Sequence, residues 1–224
     1  MTRMNISVEV PERRGHKFPG LNWWPATTSS WVKVGFVVAF ALAATAFAIF
    51  GIGERGTTIA LRLTARWSFV LFWLAYTGGP MARLFGPRLA GVARRGRDFG
   101  LAFASAQVVH VGVVVWIIYL TPGGIGGMLF FWAGIVCTYL LALFSWPRLR
   151  DALGPRLWRI CLEITLNYIM LVFAVDFIRI PLQADGLDKY PLSYVPFALL
   201  LVGAVGLRVA AWGRQQMRPS TINS

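Results

Sequence analysis

Long uncharged runs of apolar residues alternate with short, arginine-rich segments along most of the chain. About 20 apolar residues cross a bilayer as an α-helix, because each residue adds about 1.5 Å. Six such runs predict membrane spans at about residues 31–52, 64–84, 99–120, 125–146, 157–179 and 193–212. The second run is the weakest, since Gly78, Gly79 and Pro80 interrupt it. The pattern predicts an all-α, polytopic membrane protein built as a six-helix transmembrane bundle.

The segments outside these runs complete the predicted organisation. Residues 1–29 are polar and contain three prolines, which is typical of an extended tail, and residues 214–224 form a second tail. Residues 30–213 then make up the six-span transmembrane domain. The segment 121–124 between the third and fourth runs is so short that it predicts a tight antiparallel hairpin.

Composition excludes an ordinary soluble domain. Of the 224 residues, 57% are hydrophobic and only 14% are charged. The net charge of +13 would suit nucleic acid if the arginines clustered on a soluble domain. They lie instead between apolar runs, which favours contact with membrane lipids, anionic ones included, and argues against nucleic-acid binding.

The distribution of lysine and arginine predicts the orientation. With six spans, 17 of these residues fall on the side that holds both termini and 5 on the other side. Because positive residues are retained in the cytoplasm, we expect both termini to be cytoplasmic, in a multi-pass protein of the cell inner membrane.

Motifs for soluble cofactor domains and for covalent haem attachment are missing from the sequence. It contains no CxxC, CxxCH, GxGxxG or P-loop motif. Cys137 and Cys161 fall inside predicted spans, where buried thiols behave as small hydrophobic groups. No catalytic residue is predicted from this pattern.

His110 is the main candidate for chemistry because it lies within the apolar third span. At helical spacing Phe103, Gln107, His110 and Val114 share one face, which should point into the bundle. Two interpretations remain open. His110 ligates haem iron, or it forms a hydrogen bond to a neighbouring helix, as buried polar groups in a membrane do.

The fifth span carries the other polar residues. Glu163, Asn167 and Met170 share a face, and Met170 lies at about the depth of His110, so a His–Met axial pair to a haem is conceivable. The alternative is that Met170 only fills space in the core.

Two local ion pairs are also predicted from this span. Glu163 lies one turn from Arg159, and Asp176 lies three residues from Arg179. A quinone-binding or proton-relay role for Glu163 is the alternative.

The stretch Ala93-Arg94-Arg95-Gly96-Arg97-Asp98-Phe99-Gly100-Leu101, followed by His110, resembles the ferric reductase-like transmembrane domains. This superfamily includes the haem-binding membrane subunit of the methionine sulfoxide reductase system and the NADPH oxidases. The likeness covers roughly residues 60–180, and Arg156-Leu157-Trp158-Arg159 is similar to the family's fifth span. It implies a haem b cofactor with His110 as an iron ligand, and a role in electron transport as an oxidoreductase.

The chain departs from the family pattern in its fifth span, where the family has two more haem histidines. Here the matching positions hold Cys161-Leu162-Glu163 and Val175-Asp176. Two functions therefore remain open. One is a b-haem transmembrane electron carrier fed by a quinol or a cytoplasmic donor. The other is a non-catalytic membrane subunit or scaffold that kept the fold, lost haem, and binds another membrane or redox subunit.

Overall fold

The computed structural model describes residues 28–121, 129–179 and 191–217. The predicted N-terminal tail, apart from its last two residues, lies outside this part of the chain. So do residues 218–224 of the C-terminal tail and most of the predicted tight hairpin loop at 121–124.

Every regular element of the described chain is helical. The helices are α1 (Thr28–Phe50), α2 (Glu54–Phe85), a 3-10 helix (Gly86–Leu89), α3 (Ala90–Arg94), α4 (Gly96–Leu120), α5 (Leu129–Phe144), α6 (Pro147–Ala174), a π-helical turn (Val175–Arg179) and α7 (Pro191–Gln216). Helix α6 is kinked at Gly154, whose φ is 73°. Five of them are long and apolar enough to cross a membrane. The prediction of an all-α, multi-pass membrane bundle is confirmed.

The described part of helix α5 is shorter than the span predicted at 125–146. It has 16 residues and is apolar apart from Thr138. At about 1.5 Å per residue it extends about 24 Å, less than the ~30 Å hydrocarbon thickness. Residues 125–128 lie outside the described chain, so the comparison is limited to the end of this span, where the helix stops at Phe144 rather than residue 146.

Helix α2 corresponds to the second and weakest predicted span, and its bounds differ from those predicted. It begins ten residues before the predicted start at 64 and continues without a break through Gly78, Gly79 and Pro80. Its arginines lower the hydropathy of this segment, which is why the sequence pattern placed its start too late. Gly78 has a packing role: a Cβ atom there would lie 3.2 Å from the carbonyl oxygen of Val92, so glycine lets α3 approach.

The spanning helices alternate in direction, so α1 and α4, with α2 between them in the chain, run the same way. Thr28 at the start of α1 donates a hydrogen bond to Asp98 at the start of α4, and Trp116 near the end of α4 donates one to Ile52, just after α1. We call the end of the bundle where α1 begins and α7 ends the terminal end, and the opposite end the distal end.

The core is aromatic and lies between α2, α4 and α6. Phe69 and Phe72 of α2, Phe103 of α4 and Phe173 of α6 are buried, and their ring contacts have centroid distances of 5.1 to 6.1 Å. Rings packed at such distances contribute beyond the area they bury. Two members of this cluster, Phe103 and Phe173, line the site described below.

Close approach of α1 and α4 requires Gly35. A Cβ atom at this position would overlap the carbonyl group of Ala102 and lie 2.7 Å from Ser105 Oγ.

We therefore expect Gly35→Ala to lower the free energy of unfolding by about 1–3 kcal/mol, the usual effect of overpacking. Gly112→Ala is the matched control, since open space surrounds that glycine. It should be neutral or stabilising, because alanine favours the helix. Denaturant titration in mixed micelles measures both, and equal effects would contradict this account of the contact.

Candidate functional site

A cavity of about 250 Å³ lies between α2, α4, α5 and α6, in the distal half of the bundle. Its walls are largely apolar and include six aromatic residues, and its polar groups come from three helices and the π-helical turn. The aromatic residues that line it are Phe103, Phe131, Trp132, Phe173, Phe177 and Tyr194. The polar ones are Arg62, Arg66, Gln107, His110, Thr138 and Asp176. An apolar cavity with a few convergent polar groups is the usual form of a small-molecule site.

His110 is oriented by Thr64 of α2. The Nδ1 atom of His110 lies 2.8 Å from Thr64 Oγ1, which lies 2.8 Å from the carbonyl oxygen of Ala60. Thr64 Oγ1 also lies 3.2 Å from the carbonyl oxygen of Leu61. Its single proton goes either to one of these carbonyl oxygens or to Nδ1 of His110. In the first case Nδ1 carries a proton and donates it to Thr64.

This arrangement determines which group His110 presents to the cavity. A buried charge is costly in the apolar middle of a bundle, so the neutral imidazole is favoured. With its proton on Nδ1, the neutral ring has a lone pair on Nε2. No described residue forms a hydrogen bond with Nε2, and His110 lines the cavity. In this tautomer His110 offers a hydrogen-bond acceptor to a molecule that enters the cavity.

Charged residues line the distal part of the cavity. Arg66 donates a hydrogen bond to Ser193 (2.9 Å), and its guanidinium lies 5.4 Å from the ring centroids of Tyr194 and Phe197. Its buried Nε has no hydrogen-bond partner in the described chain. Asp176 lines the same cavity as Arg62 and Arg66. The predicted pair of Asp176 with Arg179 is wrong, because no ion pair joins these two residues in the described chain.

The structure brings together only some of the predicted site residues. Phe103, Gln107, His110 and Val114 all line the cavity, as their shared helix face predicted. Gln107 makes no side-chain hydrogen bond to the described chain, so its amide is available to a ligand. Met170 is buried in the core, 5% exposed, and does not line the cavity, whereas its neighbour Ile169 does. The structure thus gives no support to a His–Met axial pair.

The residues present do not fit the haem that the family resemblance implies. The proton on Nδ1 of His110 suits a metal-ligating histidine, which donates its other ring N–H to a neighbouring group. However, no second histidine, methionine or cysteine of the described residues lines this cavity, and six-coordinate b haem needs a second axial ligand. Pockets for drug-sized ligands measure about 300–1,000 Å³, and haem is large within that class. A cavity of about 250 Å³ is too small for it.

A second polar cluster lies toward the terminal end and corrects the prediction for Glu163. Glu163 Oε2 pairs with Arg208 Nη2 of α7 at 2.8 Å, not with Arg159. Asn167 Oδ1 accepts hydrogen bonds from Arg208 (3.1 Å) and from the Tyr76 hydroxyl (2.9 Å), and the Arg208 guanidinium lies 4.2 Å from the centroid of the Tyr76 ring. These four residues connect α2, α6 and α7. Because the carboxylate is used in this contact, the cluster supports a structural role for Glu163.

Sequence reasoning missed several residues of the cavity. In the sequence, Arg62 and Arg66 contribute only to the prediction of membrane orientation, although their spacing of four residues places them on one helix face. Thr64 carried no signal at all, since its importance comes from contact with a residue 46 positions away.

Comparisons with protein-family models, characterised proteins and solved structures find no match for this chain. Its membership of the ferric reductase-like family therefore stays a prediction, and the function is argued below from the cavity itself.

Proposed function

We propose that this protein is a quinol-binding membrane protein, with His110 accepting a hydrogen bond from a quinol hydroxyl in the distal cavity. The observation that carries the proposal is the Thr64–His110 hydrogen bond beside a mostly apolar cavity. The proposal takes the tautomer in which Nδ1 donates to Thr64, so that an unprotonated Nε2 faces the cavity. A ligand that reaches this cavity from the bilayer must be lipid-soluble, and it must offer a donor to Nε2.

A quinol head group matches these requirements. Its flat aromatic ring suits walls formed by phenylalanine, tyrosine and tryptophan. One hydroxyl donates to His110, while the guanidinium groups of Arg62 and Arg66 and the amide of Gln107 are donors for its oxygen atoms. A single six-membered ring is also small enough for a cavity of about 250 Å³.

The tail of the ligand needs a path to the lipid. Trp132 of α5 lines the cavity and is 38% exposed. The proposal therefore places the exit of the isoprenoid chain beside Trp132, where it can reach lipid.

Of the two functions left open by the sequence, the proposal favours the non-catalytic membrane subunit over the b-haem electron carrier. A membrane subunit that binds quinol needs no haem of its own and can present the quinol to a partner subunit. By the 17-to-5 distribution of positive residues we also propose that both termini are cytoplasmic, in the cell inner membrane. The cavity then lies in the half of the bundle away from the cytoplasm.

The test is a comparison of quinol and quinone binding. A quinone offers only acceptor oxygens, so Nε2 of His110 would remain without a partner in its complex. An unsatisfied buried group costs about 1–3 kcal/mol, a factor of about 5 to 150 in affinity. We expect anaerobic calorimetry on detergent-purified protein to show a short-chain quinol binding more tightly than its quinone by at least about fivefold.

Control variants distinguish quinol that binds in the cavity from quinol that only partitions into detergent. His110→Leu should weaken quinol binding, whereas Val108→Ala, on the lipid-exposed side of the same helix, should not. Equal affinity for quinol and quinone, or no binding of either, would overturn the proposal. So would a stoichiometric b-type haem spectrum that is lost in His110→Ala.

A further inference from the structure

A second cavity, of about 310 Å³, opens at the terminal end of the bundle and is independent of the quinol proposal. It lies between α2, α4, α5 and the start of α6. Its floor is apolar, formed in part by Leu141, Leu162 and Leu166. Its rim carries two arginines, Arg97 of α4 and Arg150 of α6.

The rim arginines are available to an anion. Arg97 is exposed and forms no hydrogen bond or ion pair with any residue in the described ranges. Arg150 has only a 3.5 Å contact to Asp151, and both of these side chains are more than half exposed. Such a solvated pair contributes little, so it competes weakly with an incoming phosphate.

The surroundings add positive charge. Segments 83–98 and 146–163, which flank the opening, contain nine arginines against three acidic residues. Each of those acids has a partner, since Asp98 accepts a hydrogen bond from Thr28, Glu163 pairs with Arg208 and Asp151 contacts Arg150. The segments that flank the opening therefore carry an excess of positive charge.

Two tryptophans place the opening at the level of lipid head groups. Trp146 and Trp158 both line it, and tryptophan is enriched at the interface between membrane and water. The indole of Trp158 donates to the carbonyl oxygen of Phe144 (3.1 Å), which joins the end of α5 to α6 and holds the two helices beside the cavity.

We infer that this cavity is a binding site for one anionic phospholipid. Its phosphate contacts Arg97 and Arg150, and the upper part of an acyl chain lies on the leucines of the floor. A head group alone would leave the apolar floor empty, and a neutral lipid would leave the two arginines without an anion. Basic pockets between membrane helices that bind anionic head groups follow the same chemistry.

The experiment is native mass spectrometry of the delipidated full chain, titrated with phosphatidylglycerol or with phosphatidylcholine of identical acyl chains. We expect one phosphatidylglycerol to be retained and phosphatidylcholine to be lost at the same collision energy. The double variant Arg97→Gln/Arg150→Gln should lower the apparent affinity for phosphatidylglycerol by ~30-fold, since each arginine near an anionic surface contributes a factor of about five.

The matched control is Arg94→Gln/Arg148→Gln, which removes two exposed arginines from the same segments but not from this cavity. It should leave lipid retention within about twofold. Arg97→Lys/Arg150→Lys keeps the charge and should restore most of the binding, which separates loss of the site from loss of folding.

Three outcomes would overturn the inference. The first is equal retention of both lipids. The second is an equal loss of affinity for phosphatidylglycerol in the control and in the rim double variant, which would mean diffuse electrostatic attraction rather than a site. The third is full displacement of phosphatidylglycerol by glycerol phosphate at equal concentration, which would assign the cavity to soluble phosphate esters.

Discussion

Thr64→Val is expected to abolish the preference of the distal cavity for quinol over quinone. Valine has nearly the shape of threonine but no hydroxyl, so Nδ1 of His110 loses its acceptor. The imidazole can then place its proton on Nε2 and donate to a quinone carbonyl. The ratio of quinone to quinol dissociation constants should fall from at least about five to about one.

Thr77→Val is the matched control for this experiment. Thr77 lies on the same helix, is equally buried, and donates to the carbonyl oxygen four residues earlier, as Thr64 does. It does not line the cavity and contacts no histidine, so its removal should leave the ratio unchanged. If both variants change the ratio alike, general weakening of α2 rather than the orientation of His110 explains the result. An unchanged ratio in Thr64→Val would remove Thr64 from the mechanism.

Disrupting the Glu163–Arg208 pair is expected to have the largest effect on stability. Arg208→Gln removes the ion pair, the hydrogen bond to Asn167 and the contact with the Tyr76 ring. We expect it to lower the free energy of unfolding by about 2–3 kcal/mol, and Glu163→Gln to lower it by less, because its carboxylate is half exposed. The double variant should lose less than the sum of the two, with a coupling of about 1 kcal/mol.

The control cycle pairs Glu163→Gln with Arg159→Gln on the same helix. Because Arg159 does not contact Glu163, these two losses should be additive within about 0.5 kcal/mol. Denaturant titration in mixed micelles gives all the free energies required. Coupling of Glu163 to Arg159 in place of Arg208 would show that the local pair forms and that α7 is held by other contacts.

The positions of the membrane helices could be predicted from the sequence because insertion into a bilayer depends on about 20 consecutive residues. The same is true of the face of α4, where Phe103, Gln107, His110 and Val114 are brought together by helical spacing alone. The start of α2 was misplaced because Arg62 and Arg66 lower the local hydropathy, although they face a cavity rather than lipid.

Only the tertiary structure decided which groups meet across helices. The sequence predicts a partner one turn away for each carboxylate, yet Glu163 pairs with Arg208 from α7, and Asp176 shares its cavity with Arg62 and Arg66 from α2. Likewise, the sequence placed His110 inside the membrane, but its contact with Thr64 depends on how α2 packs against α4. Helical periodicity determines which residues share a face, whereas the neighbour of that face depends on the packing of the whole bundle.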